Sequence, residues 1–278
     1  EQFCKLTINN LCEEFLKITN NVLEEEFKIS SASSKLDFFH LTSSQKYQLE
    51  VLEKYPVLAK ILISTLQYWL DNVIDILRCF VQDVVLLKET NIISFEVVSI
   101  KYIQQNLGDK HNKNKSVSVV YLDNDERLIF KPVSIEVMSS FNRILDFFND
   151  KGYDFKIVKS LSRNNYGWVE YLNIQQKTDS RFINDYSTQY GQYVGLMYIL
   201  NGTDIHDDNL VLSDNKLVLI DCETLFTPNI SDAQNDEFLK NLNVLQLGIL
   251  PKEFKFENNQ LKAINKLPPL FEPSIYDV

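Results

Sequence analysis

The sequence predicts an α+β protein, in which a helical N-terminal region precedes a stretch of strands and further helices. Three observations carry this. Apolar residues recur at spacings of three and four through the first hundred positions, as a helix with one buried face requires. After Asn106 the texture changes to short β-branched and aromatic runs separated by Asp, Asn and Gly turns. With 45% hydrophobic and 12% aromatic residues over 278 positions, the chain can bury the core of one large or two modest domains.

In the helical region Phe3, Leu6, Leu11, Phe15, Ile18 and Val22 form one stripe, and Leu49, Leu52, Leu58, Leu62 and Leu66 another. Thr42-Ser43-Ser44 before Gln45 is a cap signal. From Trp69 to Lys88 the stripe continues through Val73, Leu77, Phe80, Val81, Val84 and Val85. The polar run Gly108-Asp109-Lys110-His111-Asn112-Lys113-Asn114-Lys115 reads as a boundary loop. Strands at 116–122 and 127–132, joined by Asp123-Asn124-Asp125, read as a hairpin, and Ser134 opens a helix that runs through Phe141, Leu145 and Phe148 to Lys151-Gly152.

Strands at 155–161 and 168–172 flank the turn Asn164-Asn165-Tyr166-Gly167, and a helix capped by Asp179 or Ser180 runs to about Leu200. A loop at 201–209, a strand at 210–212, the turn Ser213-Asp214-Asn215 and a strand at 217–220 follow. The acidic remainder, with Pro228, Pro251, Pro268, Pro269 and Pro273, reads as irregular chain with short helices. The expected division is therefore 1–106, 107–175 and 176–278.

Composition excludes several functions. With Lys+Arg 28 against Asp+Glu 38, the net charge of -10 repels a nucleic-acid backbone. Seven glycines leave neither a dinucleotide fingerprint nor a P-loop. Cys4, Cys12, Cys79 and Cys222 are scattered, without metal-knuckle pairs or the density of a disulfide scaffold, which predicts reduced thiols and a cytoplasmic protein. No basic, apolar leader opens the chain at Glu1-Gln2-Phe3, and the most apolar stretch, 57–70, carries Lys60 and falls short of the roughly 20 residues a bilayer needs, so no transmembrane segment is expected.

One stretch carries chemistry. Gly202-Thr203-Asp204-Ile205-His206-Asp207-Asp208-Asn209 is followed, after a two-strand hairpin, by Asp221-Cys222-Glu223. The hairpin returns Asp221 to the neighbourhood of Asn209. Phosphoryl transfer needs such a set: a polar group to orient the acceptor hydroxyl, an amide and a carboxylate for magnesium, and a cation for the remaining phosphates. Asp204-Ile205-His206-Asp207-Asp208-Asn209 resembles the Asp-x-His-x-x-Asn of phosphoinositide lipid kinases more closely than the protein-kinase version.

The cation comes from Leu128-Ile129-Phe130-Lys131-Pro132: a lysine at a strand end, followed by a helix whose Glu136 can pair with it. A strand-end lysine by itself is ordinarily a solvated edge charge; its place upstream of the Asp-His-Asn and Asp pair gives it the nucleotide. Asp221 follows four apolar strand residues, where a carboxylate costs free energy unless paired or metal-bound. Glu223, two residues on, is a second ligand or a partner of the ligands, whereas Asp207 and Asp208 read as turn or surface acids.

These residues also carry a family resemblance. Asn201-Gly202-Thr203-Asp204-Ile205-His206-Asp207-Asp208-Asn209 and Leu219-Ile220-Asp221-Cys222-Glu223-Thr224-Leu225-Phe226 resemble the N-terminal dehydratase domain of class II lanthipeptide synthetases, the LanM type. Phe130-Lys131-Pro132-Val133-Ser134 and Tyr166-Gly167-Trp168-Val169-Glu170-Tyr171 match other short motifs of that family. The resemblance is specific from about Val117 to Phe226.

It implies a two-lobed, lipid-kinase-like core, with a small antiparallel sheet in the N-lobe at 107–175 and a mainly helical C-lobe segment at 176–278. It also implies a bacterial enzyme of lantibiotic, or bacteriocin, biosynthesis. Such an enzyme uses ATP and Mg2+ to phosphorylate Ser and Thr of a ribosomal precursor peptide bearing a leader, then eliminates phosphate to give dehydroalanine and dehydrobutyrine. By motif, Lys131 with Glu136 binds the nucleotide, Asp204 and His206 serve the acceptor hydroxyl and the transferring phosphoryl, and Asn209 and Asp221 hold magnesium. Glu223 stands where a protein kinase has glycine and is characteristic of the family.

The family's elimination Arg and Thr and its C-terminal cyclase, whose Cys and His ligands hold zinc, have no counterpart in this sequence. The chain is expected to be a segment that works with those regions of the same enzyme. Two other readings use the same residues: a kinase of another hydroxyl acceptor without elimination, and an inactive pseudokinase-like binding module.

Overall fold

The computed structural model describes residues 2–111, 114–174, 183–203, 205, 209–226, 254–257 and 260–263. In chain order the elements are α1 (Gln2–Ile29), α2 (Lys35–Thr42), α3 (Gln45–Lys54), α4 (Pro56–Glu89), β1 (Ile100–His111), β2 (Lys115–Leu122), β3 (Arg127–Lys131), α5 (Glu136–Asn149), β4 (Ser160–Ser162), β5 (Gly167–Glu170), α6 (Ile183–Ile199), β6 (Leu210–Ser213), β7 (Lys216–Leu219), β8 (Phe254–Glu257) and β9 (Gln260–Ala263). Helices and antiparallel strands both contribute, as an α+β sequence predicts. The chain divides into two compact units, Glu1–Val133 with Asn165–Glu170, and Ser134–Asn164 with Tyr171–Val278.

In the first unit the helices start where capping chemistry allows. The Ser34 hydroxyl accepts from the Asp37 amide at α2, and Ser44 from the Tyr47 amide at α3, within the cap signal read from the sequence. Pro56 sits at the first turn of α4, where its missing N–H costs nothing. The helices are joined by a buried carboxylate: Glu26 accepts from Lys54 Nζ at 2.7 Å, the Tyr55 hydroxyl at 2.7 Å and the Tyr47 hydroxyl at 3.2 Å. The Lys54 hydrogen bond, opposed by burial, holds the Glu26 carboxyl below its ordinary range.

Four strands of this unit pair antiparallel in the order β1-β2-β3-β5. Alternation along β3 puts Leu128 and Phe130 on one face and Arg127, Ile129 and Lys131 on the other. Phe130 meets Trp168 of β5 at a ring separation of 4.8 Å, and Trp168 meets Phe80 of α4 at 6.1 Å, so α4 covers that face. α1 reaches β1 through the Thr7 hydroxyl, which accepts from the Ile103 amide at 3.3 Å.

β1 differs from the sequence reading. It runs through Asn106, the expected end of the helical region, and takes in 108–111 of the expected boundary loop. Its pairing slips between Gln104 and Leu107, with Asn106 (φ 64°) and Gly108 (φ 76°) in the left-handed region. Those bulges break the alternation by which a strand is recognised. The helices and the sheet therefore share one unit, whose division from the second falls at 133/134. The second expected boundary, 175/176, lies outside the described residues.

In the second unit α5 buries Met138, Phe141 and Leu145 at spacings of three and four. The strand expected at 155–161 is confined to β4, because α5 asparagines take the backbone groups a ladder would use. The Asn149 side chain both donates to the Phe155 carbonyl (2.9 Å) and accepts from its amide (2.7 Å), and Asn142 Nδ2 donates to the Val158 carbonyl at 2.8 Å.

Tyr193 of α6 packs edge-on to Phe155 at 5.4 Å and donates to the Leu217 carbonyl at 3.0 Å, fastening the helix to β7. β6 and β7 pair through a two-residue turn in which Asp214 (φ 50°) and Asn215 (φ 61°) are both left-handed, as the twist of a tight hairpin favours. The expected cap at Asp179 or Ser180 lies outside the described residues. β8 and β9 form an antiparallel hairpin in the region expected to be irregular with short helices.

Candidate functional site

The site is built on the C-terminal end of α6 and the β6–β7 hairpin. α6 ends where Asn201 turns left-handed (φ 51°) and the Gly202 amide donates back to the Met197 carbonyl at 2.8 Å. The chain then enters the loop that the sequence marks as catalytic. Of that loop, Ile205 is fully buried and Asn209 half-buried; Asp204, His206, Asp207 and Asp208 lie outside the described residues.

Three connections tie Ile220, Thr224 and Phe226 to Asn209, Thr203 and Leu200 in turn. The Ile220 amide donates to the Asn209 carbonyl at 2.9 Å, extending the ladder that pairs Leu210 with Leu219. The Thr203 amide donates to the Thr224 carbonyl at 3.3 Å, and the Thr224 hydroxyl donates back to the Thr203 carbonyl. The Phe226 amide donates to the Leu200 carbonyl at 2.9 Å, with Phe226 itself left-handed (φ 58°). Asp221 thus follows directly on the residue bonded to Asn209, between the first two connections.

Residues 221–226 do not continue β7. The Asp221 carboxylate accepts from the Glu223 amide at 3.2 Å, and the Leu225 amide donates to the Cys222 carbonyl at 3.1 Å, folding a turn. Cys222 and Leu225 point into the core, Asp221 is half-buried and Glu223 is exposed. Gly202 accommodates this turn: a Cβ there would come within 2.9 Å of Leu225 Cδ2 and 3.4 Å of Met197 Sδ.

The donor chemistry at Asn209 and Asp221 suits magnesium. One amide and one carboxylate are hard oxygen ligands, and the ion ordinarily completes its shell with water and substrate phosphates. Among the described residues no three His, Cys, Asp or Glu side chains gather as a metal cage. Lys131 ends β3 in the first unit, half-buried and paired across the sheet with Gly167. Glu136 lies exposed in the first turn of α5, in the second unit. Thr203 and Thr224, which clamp the loop, escaped the sequence reading: nothing distinguishes them there from other polar loop residues.

Comparison with known proteins gives two matches. The profile of a family described as a domain of unknown function, DUF4135, matches residues 55–266, well over half of the chain. The lacticin 481/lactococcin biosynthesis protein LcnDR2 of Lactococcus lactis subsp. lactis is 28% identical over 230 residues, covering 76% of this chain and 24% of the relative. The chain therefore spans about a quarter of the length of that protein. Among the described residues no helix is long and apolar enough to cross a membrane.

Proposed function

Given that the chain belongs to the DUF4135 family and is related to the LanM-type class II lanthipeptide synthetases, we propose that it is the phosphorylating part of a lanthipeptide dehydratase with a lipid-kinase-like, two-lobed core. Its substrate is a Ser or Thr hydroxyl of a ribosomal precursor peptide, and its phosphoryl donor is ATP with Mg2+. The phosphate is then eliminated by the wider enzyme, leaving dehydroalanine or dehydrobutyrine. The observation that supports this reading is the backbone hydrogen bond from the Ile220 amide to the Asn209 carbonyl at 2.9 Å, which brings the backbone at residue 221 next to that at residue 209. The biosynthetic role of the lactococcal relative supports it from a separate direction.

In this reading Asn209 and Asp221 hold magnesium, with Glu223 as a further ligand or a partner of the ligands. A magnesium ion held there would supply charge neutralisation for the transferring phosphoryl. Lys131, with Glu136 as its carboxylate partner, binds the nucleotide phosphates. Asp204 orients the acceptor hydroxyl and takes its proton as the oxygen attacks the γ-phosphorus, while the bond from that phosphorus to the β–γ bridging oxygen breaks and ADP leaves; His206 serves the phosphoryl in flight.

The test is Asp221→Asn in the full-length protein, incubated with precursor peptide, ATP and Mg2+ and read by mass spectrometry. Loss of both phosphopeptide and dehydrated peptide is expected; undiminished product overturns the assignment. Phosphopeptide that accumulates in wild type and never loses phosphate points instead to a kinase without elimination.

A further inference from the structure

We propose that Asp83, in the middle of α4, is a positioning residue for the phosphate-binding lysine: it fixes strand β5, and through β5 the strand end that carries Lys131. The proposal rests on the assignment of Lys131 to nucleotide phosphates made above. Asp83 occupies a core position of α4, in register with the buried Val73, Ile76, Phe80 and Leu87, and is only 2% exposed. Every other member of that set is apolar, and a carboxylate in such a place is costly unless hydrogen-bonded. Its Oδ2 accepts from the Tyr166 hydroxyl at 2.8 Å and from Trp168 Nε1 at 2.9 Å.

Those two donors flank Gly167, the residue paired with Lys131 across the sheet, while Trp168 pairs with Phe130. One oxygen therefore holds both sides of the position opposite the lysine. Burial, reinforced by the carboxylate, pushes the Tyr166 phenol upward, so it stays protonated and donating at any ordinary pH.

The geometry separates support from chemistry. Trp168 is fully buried against Phe80 and Phe130 on the helix-covered face, whereas Lys131 projects from the other face of β3. Asp83 thus has no reason to touch nucleotide, and its influence passes along the β3–β5 register. Hydrophobic packing alone would let β5 settle in several similar arrangements; two directed hydrogen bonds to one fixed oxygen select a single one.

The experiment is a double-mutant cycle in the full-length protein, titrating ATP with Mg2+ by calorimetry. Lys131→Ala and Asp83→Ala are each expected to weaken binding by about tenfold or more, the scale of one lost charged hydrogen bond. The double variant should bind no worse than Lys131→Ala alone, because Asp83 acts through the lysine. Asp83→Asn, which keeps an acceptor oxygen for both donors, should recover most of the affinity.

Normal binding by Asp83→Ala beside weakened binding by Lys131→Ala overturns the positioning role and leaves the lysine's assignment intact. Multiplying losses in the double variant also overturn it, since they mark a general effect on the fold. Normal binding by Lys131→Ala removes the lysine's assignment and this proposal together. Should Asp83→Ala fail to fold, Tyr166→Phe and Trp168→Phe, each deleting one donor, enter the same cycle under the same criteria.

Discussion

Thr224→Val isolates the clamp that ties the turn at 221–226 to Thr203, next to the residues proposed to be catalytic. The substitution removes the hydroxyl that donates to the Thr203 carbonyl while leaving the Thr203 amide on the Thr224 carbonyl at 3.3 Å. One side-chain hydrogen bond has a net worth of about 1 kcal/mol, and the abandoned carbonyl, part-buried, brings the expected loss to about 1–2 kcal/mol. That corresponds to a fall of a few degrees in the unfolding midpoint.

Activity should fall further than stability. Thr203 is the residue before Asp204, the proposed base, and a displacement of about 1 Å at a reacting group can cost about a hundredfold in rate. We expect phosphorylation of the precursor peptide, timed by mass spectrometry, to slow by at least about tenfold, equivalent to roughly 1.4 kcal/mol in the barrier. Thr224→Ser keeps the hydroxyl and should retain near-normal rates. A Thr224→Val protein with the expected melting loss but a rate within about twofold of wild type would refute the argument, showing that the bridge stabilises the turn without aligning the loop.

Two further outcomes follow from packing and electrostatics. Glu26→Gln should lower stability at neutral pH by about 1–2 kcal/mol, a figure kept small because Lys54 is half-exposed. Because the folded carboxyl lies below its ordinary range, this contribution is complete above the unfolded value of about 4.3 and is lost as pH falls through the lower folded value; a melting gap between variant and wild type that stays constant on acidification from pH ~7 through that range contradicts the assignment. Gly202→Ala should cost about 1–2 kcal/mol, since the added methyl meets Leu225 at 2.9 Å and Met197 at 3.4 Å, both at the ends of flexible side chains. An unchanged melting midpoint would show that the 222–225 turn has room the packing does not suggest.

Legibility in the sequence followed the range of the interactions. The β6–β7 hairpin was readable because its determinants are local: apolar runs on either side of Asp214-Asn215, a pair that tolerates the left-handed region. The return of Asp221 to Asn209 follows from that hairpin's geometry alone. α5 and the Ser44 cap of α3 were readable for the same reason. β1 was hidden because its bulges scramble the alternation, and the strand at 155–161 was over-read because no local signal shows that Asn142 and Asn149 capture its backbone. Thr203 with Thr224, and Asp83 with Trp168, pair across 21 and 85 positions, which no spacing rule reaches.

The match to the DUF4135 profile begins at residue 55, at the residue that precedes α4, and so leaves α1, α2 and α3 before it. The helical region was read from periodicity as one block. The sheet face carrying Leu128, Phe130 and Trp168 must be covered, because a sheet with an apolar face cannot leave it in water. α4 supplies that cover with Phe80 and adds a carboxylate that grips β5. Periodicity registers only the first of these contributions, since a helix that merely covers a sheet and one that also orients it show the same three-and-four spacing of apolar residues. The distinguishing mark is the acid among them: a charged residue at a core position of a covering helix points to a strand whose placement matters beyond packing, and here that strand lies opposite the lysine assigned to the nucleotide.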